Sequence, residues 1–129
     1  MSGALSHTRV LDLSGVLADP WAGQILAGFS AEVLKVERPG TGDNTRHWGP
    51  QFLRDINGEN TSEAAYYLCA NRNKKSLTFD FTQSEGQRII RDLAAQSDTL
   101  LESFKVDRRP PSDPLGGLSA PGTSKENHP

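Results

Sequence analysis

The stretch RVLDLSGVLADPWAGQILAGFSAEVLKVERPG, Arg9 to Gly40, changes periodicity twice, and its reading decides the fold. Arg9-Val10-Leu11-Asp12-Leu13 reads as a short buried strand. From Pro20 to Phe29 the spacing becomes helical. Pro20 suits a first helical turn, and Trp21, Ile25, Leu26 and Phe29 recur at the interval of one helix face. Ala31-Glu32-Val33-Leu34-Lys35-Val36-Glu37 returns to strand, and Pro39-Gly40 stops it. Strand, helix, strand in 32 residues is a βαβ unit.

Outward from this unit the alternation continues. A polar stretch rich in Gly, Asn and Asp runs from Gly40 to about Asn60 and reads as a long loop, a type that is usually functional or mobile. Ser62 to Asn71 reads as a helix with Ala64, Ala65, Tyr67, Leu68 and Cys69 as its apolar residues. Ser76-Leu77-Thr78-Phe79-Asp80-Phe81 alternates with period two, as a half-buried strand does. Thr82-Gln83-Ser84-Glu85 has the form of a capping box, and Ile89, Ile90, Leu93 and Ala94 give the next helix one apolar face. Asp98 to Phe104 reads as a last strand. The expected fold is α/β, a Rossmann-like, mostly parallel sheet with flanking helices. Ligands of such sheets sit beyond the carboxyl ends of the strands. That rule gathers Ser14–Asp19, Arg38–Gly42, Asp80–Thr82 and Phe104–Lys105 on one rim.

Composition bounds the rest. The chain has 129 residues, with 14 Lys and Arg against 16 Asp and Glu, so the net charge is −2. This balance argues against a general nucleic-acid binder. No apolar run approaches the roughly 18 residues of a membrane span. The start, Met1 to His7, lacks the basic and apolar regions of a secretory signal. The expected location is therefore cytoplasmic, with the mitochondrial matrix as the other compartment. One cysteine, Cys69, forms neither an internal disulfide nor a Cys-rich zinc site, and its helical context reads as that of a buried small hydrophobe. Residues 107–129 hold five of the eight prolines and few large apolar side chains, so they are expected to be disordered beside an ordered unit at 8–106.

Several segments have the make-up of a site. The turn Ser14 to Pro20 offers backbone N–H groups at a helix start to a phosphate or carboxylate, or serves simply as a strand-to-helix turn. It lacks the glycine spacings of the two common nucleotide-binding loops. Arg38 either places a guanidinium, suited to phosphates and flat rings, at the rim with Pro39 behind it, or is a solvated surface arginine. Asn71-Arg72-Asn73-Lys74-Lys75 is a basic run that either holds an anion or answers a helix dipole on the surface. Gly40 to Pro50 mixes glycines with Arg46, His47 and Trp48, as a substrate-side loop does. His47 reads as a surface or packing residue, and no catalytic triad or metal cluster is supported.

Taken in order, these segments resemble the family III CoA-transferases. Arg9 to Leu13 with Ala18-Asp19-Pro20 is similar to the family's V-L-D-L…A-G-P opening, with Asp19 at the usual glycine. Gly28 to Gly40 resembles L-G-A-E-V-I-K-V-E-x-P, and Gly42-Asp43-Asn44-Thr45-Arg46 resembles G-D-x-x-R. Asn71 to Leu77 resembles N-R-N-K-[KR]-S-[LI], and Glu102-Ser103-Phe104-Lys105 resembles the E-N-[FY] strand end. Thr45 to Pro50 and Arg72 to Lys75 are most similar to the succinyl-CoA:glutarate branch.

The resemblance implies transfer of CoA from an acyl-CoA donor to a carboxylic acid. The route passes through an aspartate that forms anhydride and thioester intermediates. It implies a larger fold, an interlocked dimer, and no permanently bound cofactor, with CoA and acyl-CoA as substrate. Carried over by motif, Leu17 and Ala18 would touch CoA in the first turn, and Arg38 would hold its nucleotide end. Phe79, Asp80, Phe81 and Thr82 would line the adenosine side. Ser103, Phe104 and Lys105 would follow the last strand, Ser103 standing where the family has asparagine. No residue takes the covalent role: the match ends near Val106, and Asp107 and Asp113 correspond to no family aspartate. The readings are thus a CoA-transferase by descent, a truncated CoA-binding or decoy chain that associates with itself or with a full-length subunit, and an unrelated Rossmann-like nucleotide binder. A part-domain with open strand edges is also expected to be poorly soluble or molten alone.

Overall fold

The computed structural model describes residues 3–103. In chain order they form β1 (Arg9–Asp12), α1 (Ala18–Gly28), β2 (Glu32–Glu37), a 3-10 turn (Asn44–His47), β3 (Phe52–Arg54), β4 (Asn60–Ala64), α2 (Ala65–Asn71), β5 (Lys75–Thr78), α3 (Ser84–Ala95) and β6 (Thr99–Leu101). Four strands make one parallel sheet in the order β5-β2-β1-β6. Numbered among themselves, these strands run 3-2-1-4, the order of a Rossmann-like half-sheet, and the direction of winding reverses between β1 and β6. The α/β expectation holds. Among the described residues no helix is long and apolar enough to cross a membrane.

The two faces of the sheet are covered separately, because successive side chains of a strand point to opposite sides. Leu11, Leu13, Leu34 and Val36 meet Ile90 of α3, with Leu77, Phe79, Phe81, Leu93 and Leu100 around them. On the other face Val10 and Val33 meet Ala27 and Ala31 under α1. Beyond this second cluster the same face turns polar, with buried Asp12, Lys35 and Glu37.

Several expectations need correction. The stripe Trp21, Ile25 and Phe29 does not face the core; these side chains are 48, 51 and 56% exposed. α1 instead buries Pro20, Gly23, Gln24 and Ala27. It lies so close to the sheet that a Cβ on Gly23 would stand 3.0 Å from Asp12 Oδ2 and 3.1 Å from Lys74 Nζ. Close approach selects Gly23 there, and of the four residues marked by periodicity Leu26 alone packs against the core.

Thr82 is not a cap. α3 begins at Ser84 with Gln83 before it and no side-chain cap bond. The Thr82 amide and hydroxyl donate to Asp80 Oδ1 at 2.9 and 2.6 Å, which closes a turn instead. Gly86 lets the helix sit on that turn, since a Cβ there would fall 2.0 Å from the Asp80 carbonyl oxygen.

The stretch 40–60 is more structured than a loop, holding the 3-10 turn and most of a β-hairpin. Ser62 and Ala64 belong to β4, so α2 starts only at Ala65. Cys69 is exposed, its thiol donating to the Tyr66 carbonyl oxygen at 3.1 Å; the buried residues of α2 are Tyr67, Ala70 and Asn71. The last strand ends at Leu101, and Phe104, Lys105 and the tail 107–129 lie outside the described residues.

Candidate functional site

The carboxyl ends of the parallel strands open onto a crevice of two adjoining clefts. One, of about 180 Å³, has Ser14, Gly15 and Val16 of the turn after β1 on one wall and Gly42, Asp43 and Asn44 on the other. Ser103, just past β6, and Phe81, past β5, complete it. The second, of about 460 Å³, is lined by Arg38, Pro39, Thr41, Phe79, Asp80, Phe81 and Thr82. Arg38 and Phe81 border both.

The structure therefore brings Arg38, Phe79, Asp80, Phe81, Thr82 and Ser103 to one rim. Leu17 and Ala18 stand apart from both clefts, at the N-terminus of α1. Ser103 Oγ accepts the Gly15 amide at 3.3 Å and so ties the end of β6 to the first turn. Asp80 is exposed, and its bonds from Thr82 hold its carboxyl below the usual carboxylate range.

Arg38 is exposed, and among the described residues its guanidinium has no ion-pair or hydrogen-bond partner. Most other cations near the crevice are committed. Arg46 donates to Glu37 at 2.9 and 3.0 Å, to Glu63 at 2.9 Å and to the Tyr67 hydroxyl at 2.7 Å, and lies 3.7 Å from the Tyr67 ring centroid. Lys74 donates to Asp12 Oδ2 and the Pro20 carbonyl oxygen, both at 2.7 Å. Lys35 reaches Asp43 Oδ2 and the Ser14 carbonyl oxygen, both at 2.9 Å.

The basic run is thus neither an anion site nor a plain surface turn at Lys74, whose side chain is buried. Burial pulls its ammonium below the ordinary lysine value against the opposing pull of Asp12. His47, exposed, lies with Nε2 3.0 Å from the Thr41 carbonyl oxygen.

The carboxylates are committed too. Burial alone would raise Asp43 and Glu37. For Asp43, bonds from Thr45 and Lys35 outweigh burial and hold the carboxyl low. For Glu37, bonds from Arg46, Ser76 and the Asp43 amide do the same. This network of Asp12, Lys35, Glu37, Asp43 and Lys74 escaped sequence reasoning. Its signal was present in Val33-Leu34-Lys35-Val36-Glu37, where charges alternate inside an otherwise buried strand.

Comparison with known proteins identifies the family. The family described as CoA-transferase family III matches residues 5–112. A succinate–glutarate CoA-transferase of Agrobacterium fabrum is 50% identical over 103 residues, 80% of this chain and 26% of that protein. A formyl-CoA:oxalate CoA-transferase of Escherichia coli is 40% identical over 104 residues, 81% of this chain and 23% of that protein. The crystal structure of a CAIB/BAIF family protein from Brucella suis superposes with a TM-score of 0.74 at 42% identity, over 83% of this chain and 27% of that one. The chain spans about a quarter of the length of the curated relatives it matches.

Proposed function

The chain belongs to CoA-transferase family III, and from that premise we propose that its crevice holds the nucleotide end of coenzyme A. Residues 8–106 would be the CoA-binding part of a protein that passes CoA from an acyl-CoA donor to a free carboxylic acid. The observation that carries this reading is Arg38. It is an exposed cation without a partner among the described residues, set where two clefts meet and beside the Phe79 and Phe81 rings. A guanidinium so placed pairs with phosphate oxygens or stacks on adenine.

A second reading, a chain that binds CoA without transferring it, is favoured by the state of the carboxylates. Among the described residues, the acids lining the two clefts are Glu37, Asp43 and Asp80, and each is held by hydrogen bonds. A carboxylate nucleophile must be free to attack a thioester carbonyl; Glu37 and Asp43 are buried and bonded on both oxygens, and Asp80 accepts the Thr82 amide and hydroxyl. In this reading the chain would bind CoA beside a full-length transferase subunit.

Calorimetric titration of the full chain with coenzyme A tests the shared premise. Saturable binding is expected, weakened about tenfold or more by Arg38→Ala, roughly the loss of one charge-assisted contact. A folded wild-type chain that takes up no CoA would overturn both readings.

A further inference from the structure

We propose that Lys35 is the positioning residue of the cleft, one buried ammonium that holds the two walls together; the binding half of this inference rests on the CoA reading above. The walls are the turn Ser14–Val16 and the loop Gly42–Thr45, and among the described residues no backbone hydrogen bond joins them. Lys35, in β2 beneath the cleft, reaches both: its Nζ donates to the Ser14 carbonyl oxygen and pairs with Asp43 Oδ2, each at 2.9 Å. The Lys35 and Asp43 side chains are only 1% and 3% exposed.

Each anchor is itself braced. The Ser14 amide and hydroxyl donate to Asp12 Oδ1, while Asp12 Oδ2 takes Lys74. Asp43 Oδ1 accepts the Thr45 amide and hydroxyl at 2.9 and 2.7 Å, and the Asp43 amide donates to Glu37 Oε1 at 3.1 Å. An unbroken series of charges and hydrogen bonds therefore runs from Lys74 through Asp12, Ser14 and Lys35 to Asp43.

Stability alone does not call for this arrangement. A buried ion pair gives up the hydration of both ions, and well-packed apolar side chains often serve a fold as well or better. An apolar residue in β2, like the neighbouring Val33 and Val36, cannot bind a carbonyl on one wall and a carboxylate on the other. Walls fixed before the ligand arrives spare it the cost of ordering two loops. Lys35 thus supports affinity without touching CoA.

The test uses Lys35→Met combined with Asp43→Asn, which removes both charges and leaves no ion unpaired. Measurements on the full chain are CoA affinity by calorimetry and amide hydrogen exchange. The double variant is expected to bind CoA about tenfold more weakly. Its exchange should rise together at Gly15–Val16 and Gly42–Thr45, with the amides of β1 and β2 as protected as before. Arg38→Ala should weaken binding but leave exchange at both walls unchanged. A folded double variant with wild-type affinity, or with wild-type exchange at the walls, overturns the inference. If wild-type chain binds no CoA, the CoA reading falls and takes the binding half with it, while exchange still decides whether Lys35 joins the walls. Should the double variant not fold, Thr45→Val removes one brace of Asp43 and is expected to weaken CoA about threefold; unchanged affinity overturns the inference in that case too.

Discussion

Lys35 and Arg38 stand three residues apart at the end of one strand, and their surroundings divide the labour between them. Lys35 is enclosed and bonded on two sides, whereas Arg38 faces the crevice with its charge unspent. The acids nearby follow the same logic. Asp43 and Glu37 are held as carboxylates by donors that outweigh their burial. Their folded values lie below the unfolded ones, so their stabilisation is complete only above about pH 5, clear of the unfolded values, and is lost as pH falls through the folded values. The melting temperature should therefore begin to drop on acidification below about pH 5, and the acid limb should be shallower in Asp43→Asn. Identical acid limbs in wild type and variant would remove Asp43 from this account.

At the scale of elements, α3 and α1 attach to the sheet by different means. α3 inserts Ile90, fully buried, among Leu11, Leu13, Leu34 and Val36. Ile90→Ala should cost about 2–5 kcal/mol in urea unfolding; a loss under about 1 kcal/mol would mean that α3 is not seated as described. The period of Ile89, Ile90, Leu93 and Ala94 made this helix legible, because large apolar residues face the sheet there. The face of α1 is harder to read, because Gly23 lies over the polar patch of Asp12 and Lys74 while Ala27 meets Val10 and Val33, and small residues leave little hydrophobic signal. The hairpin β3–β4 was missed for a related reason. Its strands are mostly polar and exposed, and Phe52-Leu53-Arg54 is too short to show alternation.

Across the whole molecule, the parallel order β5-β2-β1-β6 puts the first turn, Arg38, the Asp80 turn and Ser103 at one end of the sheet. Sequence periodicity predicted that rim, because strand ends are marked by Ser14-Gly15 and Pro39-Gly40. It did not show which charges the rim spends on itself, since Lys35 and Arg38 look alike until burial separates them. Among the described residues the outer face of α1 is exposed and β5 and β6 are the unpaired edges of the sheet, surfaces of the kind that favour association.

The central claim, that the crevice at the strand ends holds CoA, is tested most directly by amide chemical-shift mapping of the full chain during titration with coenzyme A. The account predicts saturating shifts grouped at Ser14–Val16, Arg38–Asn44 and Phe79–Thr82, with Arg72, Asn73 and the outer face of α1 unmoved. Shifts centred on Arg72 and Asn73, or none in a folded chain, would contradict it.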